Sequence, residues 1–325
     1  MLDQLQPFME LVDTRERFVV CCHVHPDGDA IGSLLAVGLT LRQLGKQVAM
    51  VCSDGVPSVY NFLEGVQWIE TSWDGRFNPE VVICVDCAEK ERIAAPSGLW
   101  EHSGYIVVNL DHHITNRGFG DINIIDPQAS ATGEVVYRII TEAGYGMDYA
   151  IALALYTAIA TDTGFFRFES TSSFTLEVAS TLVKKYGVEP FKVAEQVHEQ
   201  KSFNSMRLLG EILSRLQLTH GGKVAWAVLD QPLLNKYPVE NEETESYVNY
   251  ARSIEGVEIG ILFKELKPNE IKVSWRSTSA VDVSKLAAHF GGGGHARAAG
   301  CSLTGPVDVV VQQVLDYVNQ YYGVK

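Results

Sequence analysis

The chain has 325 residues, of which 46% are hydrophobic and 20% are charged, and its formal net charge is −14 at pH 7. This composition is typical of a globular protein with ample core, and the length favours about two domains. The negative charge would repel a long polyanion, so it argues against extended duplex DNA as a partner. No apolar run approaches the roughly 18 residues that span a bilayer, and the acidic N-terminus lacks the apolar core of a signal peptide. We therefore expect a cytoplasmic protein with no membrane partner.

The cysteines are sparse for this length, and most lie within apolar runs: Cys21, Cys22, Cys52, Cys84, Cys87 and Cys301. This usage indicates buried, reduced thiols and not a disulfide framework. Cys84 and Cys87 have C-x-x-C spacing, but the sequence contains no second such pair to complete a zinc site. On a strand their sulfurs would also face opposite sides, so we favour a structural role.

Strand and helix patterns alternate in the first half of the chain. Phe18–His23 is an apolar run typical of a strand, and Ala30–Leu44 has apolar residues at helical spacing before Gly45. Further apolar runs of strand length lie at 47–52, 81–86 and 105–110. Near-continuous apolar strands separated by helices predict an α/β fold, with a mostly parallel sheet and helices on both faces.

Helices and then a second strand–helix pattern are predicted for the rest of the chain. The predicted helices are 132–142, 148–161, 172–186 and 190–199, followed by a polar, less periodic region around 202–215. Beyond it we predict strands at 224–229, 257–266 and 270–276, and helices at 242–254, 283–290 and 307–321. The predicted domains are therefore 1–190, a helical linker at 191–215, and a smaller α/β domain at 216–325.

Three polar residues follow the first predicted strand at positions of one parity. In extended geometry His23, Asp27 and Asp29 can converge on one point. Carboxylate oxygens and imidazole suit a divalent cation such as Mn²⁺, Mg²⁺ or Zn²⁺, and a cation would keep neighbouring carboxylates ionised. The alternative is a solvated turn, because Pro-Asp-Gly is also ordinary turn chemistry.

Further acidic and histidine residues lie where a metal site in such a sheet needs them. Asp86 closes one apolar strand, and Asp111, His112 and His113 close another. Ligands bind at the carboxyl ends of the strands in open α/β sheets, so these clusters point to one crevice. Asp162 ends an apolar helix, where the helix dipole disfavours a carboxylate unless something compensates. A cation shared with the other acidic residues would compensate the charge of Asp162. The alternative is that Asp162 is an ordinary surface residue at a helix end.

These motifs, in this order, resemble those of the DHH phosphoesterase superfamily. The block from Gly291 to Gly300 also resembles the signature of the DHH-associated C-terminal domain. Within the superfamily the chain is most similar to the NrnA-type oligoribonucleases and 3′-phosphoadenosine-5′-phosphate (pAp) phosphatases. It has little room for the additional domain of RecJ exonucleases, and family II pyrophosphatases lack the glycine block. The resemblance implies a DHH catalytic domain at 1–190 and a DHH-associated substrate-binding domain at 216–325.

The resemblance implies a two-metal enzyme that hydrolyses short oligoribonucleotides (nanoRNA) to mononucleotides and pAp to AMP. Two Mn²⁺ ions are the implied cofactors, although the ligand types also suit Mg²⁺, Co²⁺ or Zn²⁺. By motif, one ion falls to His23, Asp27 and Asp86, and the second to Asp29, Asp86, His112 and Asp162. His113 would face the scissile phosphate, and Asp111 would orient the histidine pair.

The implied substrate contacts are Asn116, Arg276, Ser277, Gly292, Gly293, Gly294, His295 and Arg297. Glycine N–H groups can cradle a phosphate, although four glycines also suit a flexible turn. Arg276 could grip a phosphate bidentately, whereas Arg297 is equally compatible with an exposed surface charge. We expect short RNA or nucleotide substrates and leave a monomer and a homodimer open. The alternative functions are a phosphodiesterase for pApA or cyclic dinucleotides, and a nucleotide-binding sensor without catalysis.

Overall fold

The computed structural model describes residues 2–73, 75–95, 99–101, 104–278 and 281–321. The chain divides into two compact units, residues 1–200 and 201–325. The division lies inside the segment predicted as a linker, whose bounds at 191 and 215 stay a prediction.

A six-stranded parallel sheet forms the first unit, in the spatial order β3-β2-β1-β4-β5-β6. Its strands are β1 (Arg17–Cys21), β2 (Gln47–Val51), β3 (Ile69–Glu70), β4 (Val81–Val85), β5 (Ile106–Asp111) and β6 (Ile122–Ile125). Every residue of β4 is buried, as expected for an apolar Val/Ile run inside a parallel sheet that is covered on both faces. Because all neighbours run parallel, the carboxyl ends of the strands lie along one edge. The α/β class and the mostly parallel sheet predicted from the sequence are confirmed.

The α-helices of this unit cover one face of the sheet among the described residues, whereas the sequence predicted helices on both faces. They are α1 (Leu2–Thr14), α2 (Gly28–Gln43), α3 (Thr132–Glu142), α4 (Tyr149–Asp162), α5 (Ser173–Tyr186) and α6 (Pro190–Ala194), which continues as a π-helical turn over Glu195–Glu199. Phe18 and Val20 of β1 pack under Leu34 and Leu35 of α2 in one core. The opposite face carries Cys21 and is covered by loop residues and by the 3₁₀ turns 90–92 and 99–101.

Small residues bring α2 unusually close to α4. A Cβ atom at Gly32 would lie 2.4 Å from the carbonyl oxygen of Ala154, and one at Gly28 would lie 2.4 Å from Thr161 Oγ1. Real Cβ atoms are not found at such distances from other heavy atoms, so the helix contact requires glycine at both positions. This approach places the first turn of α2 beside the last turn of α4.

The second unit contains a mixed sheet in the order β11-β12-β10-β9-β8-β7, in which only β8 and β9 run parallel among the described strands. The strands are β7 (Gln217–Thr219), β8 (Val224–Leu229), β9 (Ile259–Lys267), β10 (Glu270–Ser277), β11 (Gly293–His295) and β12 (Ala298–Thr304). The helices are α7 (Phe203–Ser214), α8 (Gln231–Lys236), α9 (Val248–Arg252), α10 (Val283–His289) and α11 (Val307–Tyr321). Trp275, Phe263 and Val314 are among the buried residues of its main core.

Several local predictions need correction. The helix predicted over 242–254 is instead a 3₁₀ turn (Asn241–Thr244) and the short helix α9, because only Val248 and Ala251 offer a buried apolar side in α9. The polar region around 202–215 contains α7, whose buried stripe is Leu208, Leu209 and Ile212.

All six cysteines are free and buried, as predicted. Cys21 and Cys84, neighbours on β1 and β4, have their sulfur atoms 3.8 Å apart. None of the helices among the described residues is long and apolar enough to cross a membrane.

Candidate metal centre

Polar side chains from five parts of the first unit meet at the carboxyl edge of the parallel sheet. The structure brings together His23 after β1, Asp27 and Asp29 at the start of α2, Asp86 after β4, His112 after β5 and Asp162 at the end of α4. They form two groups that share Asp86.

The first group is His23, Asp27 and Asp86. His23 Nε2 lies 3.3 Å from Asp86 Oδ2 and 3.9 Å from Asp27 Oδ1. The other ring nitrogen, Nδ1, lies 2.8 Å from the carbonyl oxygen of Val24 and so carries the proton that it donates there. That hydrogen bond leaves Nε2 as the ring nitrogen that faces the carboxylates, which is the usual arrangement of a metal-binding histidine.

The second group is His112 with Asp29, Asp86 and Asp162. His112 Nε2 lies 3.4 Å from Asp162 Oδ2, 3.8 Å from Asp29 Oδ2 and 3.8 Å from Asp86 Oδ1. Its Nδ1 lies 3.2 Å from the carbonyl oxygen of Ala129, so this imidazole is oriented like the first. Asp86 therefore presents Oδ2 to one group and Oδ1 to the other.

Asp29 is held by the N-terminus of α3. Its carboxylate accepts the N–H groups of Thr132 and Gly133, at 2.7 and 2.9 Å, and the hydroxyl of Ser33 at 3.0 Å. The positive end of the helix dipole favours an anion there. Thr132 also donates its hydroxyl to Asp86 Oδ1 at 2.9 Å, so one residue supports two carboxylates. Sequence reasoning missed Thr132, Gly133 and Ser33, because nothing in their pattern indicates which carboxylate they meet.

The site has an excess of negative charge. Burial, followed by the charge of Asp86, raises the pKa of Asp29 well above its usual value. Burial, followed by the charges of Asp27 and Asp86, does the same to the pKa of Asp162. Burial opposes the charged form of His23, but its hydrogen bond to Asp86 and that residue's charge raise its pKa to about 10. For Asp86, burial is outweighed by the three nearby histidines, which hold its pKa well below the usual value.

The raised pKa values mean that the ionised forms of Asp29 and Asp162 are disfavoured unless a positive charge compensates them. A divalent cation bound by these carboxylates would supply that charge. Carboxylate oxygens and imidazole nitrogens are the ligand types that suit Mn²⁺, Mg²⁺ and Zn²⁺. By charge and by donor type, the residues present fit divalent metal ions.

His113 faces a different partner. Its Nδ1 lies 2.7 Å from Asp111 Oδ1, and Asp111 is completely buried. Burial opposes protonation, but the hydrogen bond to Asp111 raises the pKa of His113 to about 9. Because Asp111 accepts the hydrogen bond from Nδ1–H, the Nε2 of His113 is the nitrogen left for another group.

Asn116 lies near Asp111 as well. Its amide nitrogen is 2.5 Å from Asp111 Oδ2 and 2.7 Å from Asn109 Oδ1. The sequence prediction of a substrate contact at Asn116 is not tested by this geometry.

The glycine block of the second unit forms a β-hairpin. Gly293, Gly294 and His295 make up β11 and pair with Gly300, Ala299 and Ala298 of β12. A Cβ atom at Gly292 would lie 2.1 Å from the carbonyl oxygen of Gly300, and Gly294 has a φ of +135°. Close backbone packing thus accounts for glycine at 292 and 294, and a role in phosphate binding stays a prediction.

The other predicted substrate contacts lie around this hairpin. Arg276 pairs with Ala298 and donates Nη1 to the carbonyl oxygen of Trp275 at 2.9 Å. Ser277 is buried and donates its hydroxyl to the carbonyl oxygen of Val281 at 2.6 Å, and Arg297 donates to the same oxygen at 2.9 Å. His295 is exposed.

Comparisons with known proteins agree with this architecture. Residues 17–159 match the DHH family, N-terminal domain, and residues 221–323 match the DHHA1 domain. The chain is 31% identical to the bifunctional oligoribonuclease and PAP phosphatase NrnA of Thermus thermophilus, over 93% of this chain and 89% of that protein. The chain therefore belongs to the DHH family.

Solved structures give the same fold. An exopolyphosphatase-related protein from Bacteroides fragilis is 27% identical and superposes with a TM-score of 0.90, covering 99% of this chain and 98% of that one. RecJ from Thermus thermophilus in complex with Mn²⁺ has a TM-score of 0.52 at 12% identity, covering 98% of this chain and 54% of that one, which shows a shared fold.

Proposed function

We propose that this chain is a metal-dependent phosphoesterase that hydrolyses short oligoribonucleotides to mononucleotides and pAp to AMP. The observation that carries the proposal is Asp86, whose two carboxylate oxygens face separate histidine–carboxylate groups. The Thermus relative is named as a bifunctional oligoribonuclease and PAP phosphatase, which supports the choice of substrates.

The proposed metal ligands are the two groups that share Asp86. We assign one ion to His23, Asp27 and Asp86 and the other to Asp29, Asp86, His112 and Asp162. Mn²⁺ is the proposed cofactor, since the ligand types suit it and RecJ, which shares the fold, holds it. When bound, two such cations lower the pKa of a water molecule and neutralise charge on phosphoryl oxygens.

The residues around the ions have separate tasks in the proposed hydrolysis. A bond forms between a water oxygen and phosphorus, one ester P–O bond breaks, and a proton ends on the leaving oxygen. His113 donates a hydrogen bond from Nε2 to the reacting phosphate, because its Nδ1 is committed to Asp111. Asp111 thus orients His113 and does not itself contact the substrate.

The second unit is proposed to recognise the end of the substrate. Arg276, His295 and the N–H groups of Gly293 and Gly294 are the proposed donors for a terminal phosphate or a base, and Ser277 and Arg297 adjoin them. The N–H of Gly292 already donates to the carbonyl oxygen of Ala287 at 2.9 Å, so the proposed role of Gly292 is limited to close backbone approach. A net charge of −14 disfavours a long polyanion, which supports short substrates. The buried free thiols suit a reducing compartment, so we propose the cytoplasm.

A product time course tests the proposed function. The full chain, stripped with EDTA and then supplied with Mn²⁺, is incubated with pAp, pApA and 5′-labelled RNAs of increasing length. We expect AMP from pAp and mononucleotides from short RNA, with no product in EDTA. Full activity in excess EDTA contradicts the metal centre, and hydrolysis of pApA alone contradicts the substrate assignment.

A further inference from the structure

Asp86 stands in an unusual backbone conformation. It follows directly after β4 and has a φ of +55°, in the left-handed region that residues with a side chain rarely adopt. That region is unfavourable for an L-residue, so the surrounding structure must hold Asp86 in it. The N–H of Asp86 donates to the carbonyl oxygen of Leu110 at 2.9 Å, which secures one side of the turn.

Asn109 secures the other side. It is completely buried on β5, in register with Cys84 on β4. Its amide nitrogen lies 3.1 Å from the carbonyl oxygen of Cys87 and 3.5 Å from that of Cys84. The single side chain therefore reaches backbone groups on both flanks of Asp86.

Asn116 joins this turn to Asp111. Its amide nitrogen lies 3.2 Å from the carbonyl oxygen of Cys87, 2.7 Å from Asn109 Oδ1 and 2.5 Å from Asp111 Oδ2. Its own Oδ1 accepts the N–H of Gly118 at 2.8 Å, which fixes the orientation of the amide. One amide group thus connects the backbone beside Asp86 with the carboxylate that orients His113.

We propose that Asn116, together with Asn109, is a positioning residue that holds Asp86 and the Asp111–His113 pair in register with each other. Its loss removes a donor from Asp111 Oδ2 and from Asn109 Oδ1, the side chain that holds the Cys84 and Cys87 carbonyls, and so lets both Asp86 and His113 move. Metal affinity and turnover depend on Asn116, whereas substrate affinity does not. This inference rests on the proposed metal centre, and it assigns Asn116 to the support of that centre instead of to substrate contact.

The test measures Mn²⁺ binding by calorimetry on the full chain, with pAp kinetics beside it. We expect Asn116→Ala to bind Mn²⁺ about 10- to 100-fold more weakly, the usual effect of removing a group that orients metal ligands. Asn116→Asp keeps the shape but sets a carboxylate against Asp111, so it should be at least as weak. In both variants kcat falls about tenfold or more while KM stays within about twofold.

The matched control is Asn123→Ala. Asn123 lies on β6, donates to the carbonyl oxygen of Gly120 at 2.7 Å and accepts its N–H at 3.0 Å, with no described hydrogen bond to Asp86 or Asp111. It should bind Mn²⁺ like the wild type. If Asn116→Ala fails to fold, as judged by its metal-free melting curve, Asn116→Ser supplies the same comparison.

The outcomes separate this inference from the proposed function. A raised KM with unchanged Mn²⁺ affinity overturns the positioning role in favour of substrate contact, and unchanged affinity with unchanged kcat overturns it outright. A wild-type chain that binds no divalent cation overturns the metal centre and the positioning role with it. If the wild type binds Mn²⁺ and the Asn116 variant binds it equally tightly with the same kcat, the positioning role alone is overturned.

Discussion

Asp86→Asn should abolish most of the stabilisation that Mn²⁺ gives to the folded chain. The substitution keeps the shape of the side chain but removes the charge that faces both His23 and His112. An ion that binds only the native state stabilises it by about 2.7 kcal/mol at one hundred times its Kd. In a folded unit of about 200 residues, the size of the first unit, 1 kcal/mol shifts the Tm by about 2–4 °C, so Mn²⁺ should raise the wild-type Tm of this unit by about 5–11 °C.

The variant should respond far less at the same Mn²⁺ concentration. Loss of a group that only orients ligands weakens metal affinity about 10- to 100-fold, and loss of a shared ligand should exceed that range. At hundredfold weaker affinity the ion concentration equals Kd, the stabilisation falls to about 0.4 kcal/mol, and the Tm rises by only about 1–2 °C. Scanning calorimetry of EDTA-treated protein, with and without Mn²⁺, measures both shifts.

Asp121→Asn is the control for this experiment. Asp121 is exposed and accepts the N–H of Val107 at 2.8 Å, away from the six proposed ligands. Its variant should show the full wild-type response to Mn²⁺. An Asp86→Asn variant that gains as many degrees as the wild type would refute the shared role of Asp86.

Four other outcomes can be measured on the same protein. His113→Ala should lower kcat for pAp by about 10²- to 10⁴-fold with little change in KM, and an unchanged kcat in steady-state assays would exclude a role in the reaction. Arg276→Ala should raise KM about 10- to 100-fold, because a charge-assisted hydrogen bond of about 1.5–3 kcal/mol is lost; an unchanged KM for every phosphorylated substrate would exclude its phosphate contact. RNA of about five nucleotides should be hydrolysed faster than long single strands, since the negative chain repels a polyanion, and equal rates on a labelled length series would contradict this. Mn²⁺ affinity should rise with pH between pH 6 and 8, by up to about tenfold per pH unit for each proton released, because His23, with a pKa of about 10, must lose a proton to bind the ion. Calorimetry over this pH range measures the affinity, and an affinity that does not change with pH would contradict the prediction.

The sequence contains enough information to predict the parallel sheet and the edge where the polar residues meet. Apolar runs ending in His23, Asp86 and Asp111 show both where strands end and which chemistry follows them. Asp162 could be placed because a carboxylate at the end of an apolar helix needs a compensating charge. The ligand roles of these residues are still predictions, although the structure brings the side chains together.

The supporting contacts could not be predicted, because they depend on which elements become neighbours. Asn109 lies within an apolar run, and its role appears only once β5 is known to pair with β4. Thr132 supports Asp29 and Asp86 across more than 40 residues of sequence, through the position of α3. In the second unit the β11–β12 hairpin was missed, since four consecutive glycines carry no strand pattern.

The proposed metal centre consists of two ions that share Asp86. Crystals of the full chain grown with Mn²⁺ should show two anomalous difference peaks about 3.5–4 Å apart. One peak should touch His23, Asp27 and Asp86, and the other should touch Asp29, Asp86, His112 and Asp162. A single peak, or two peaks without Asp86 between them, would contradict the proposed metal centre.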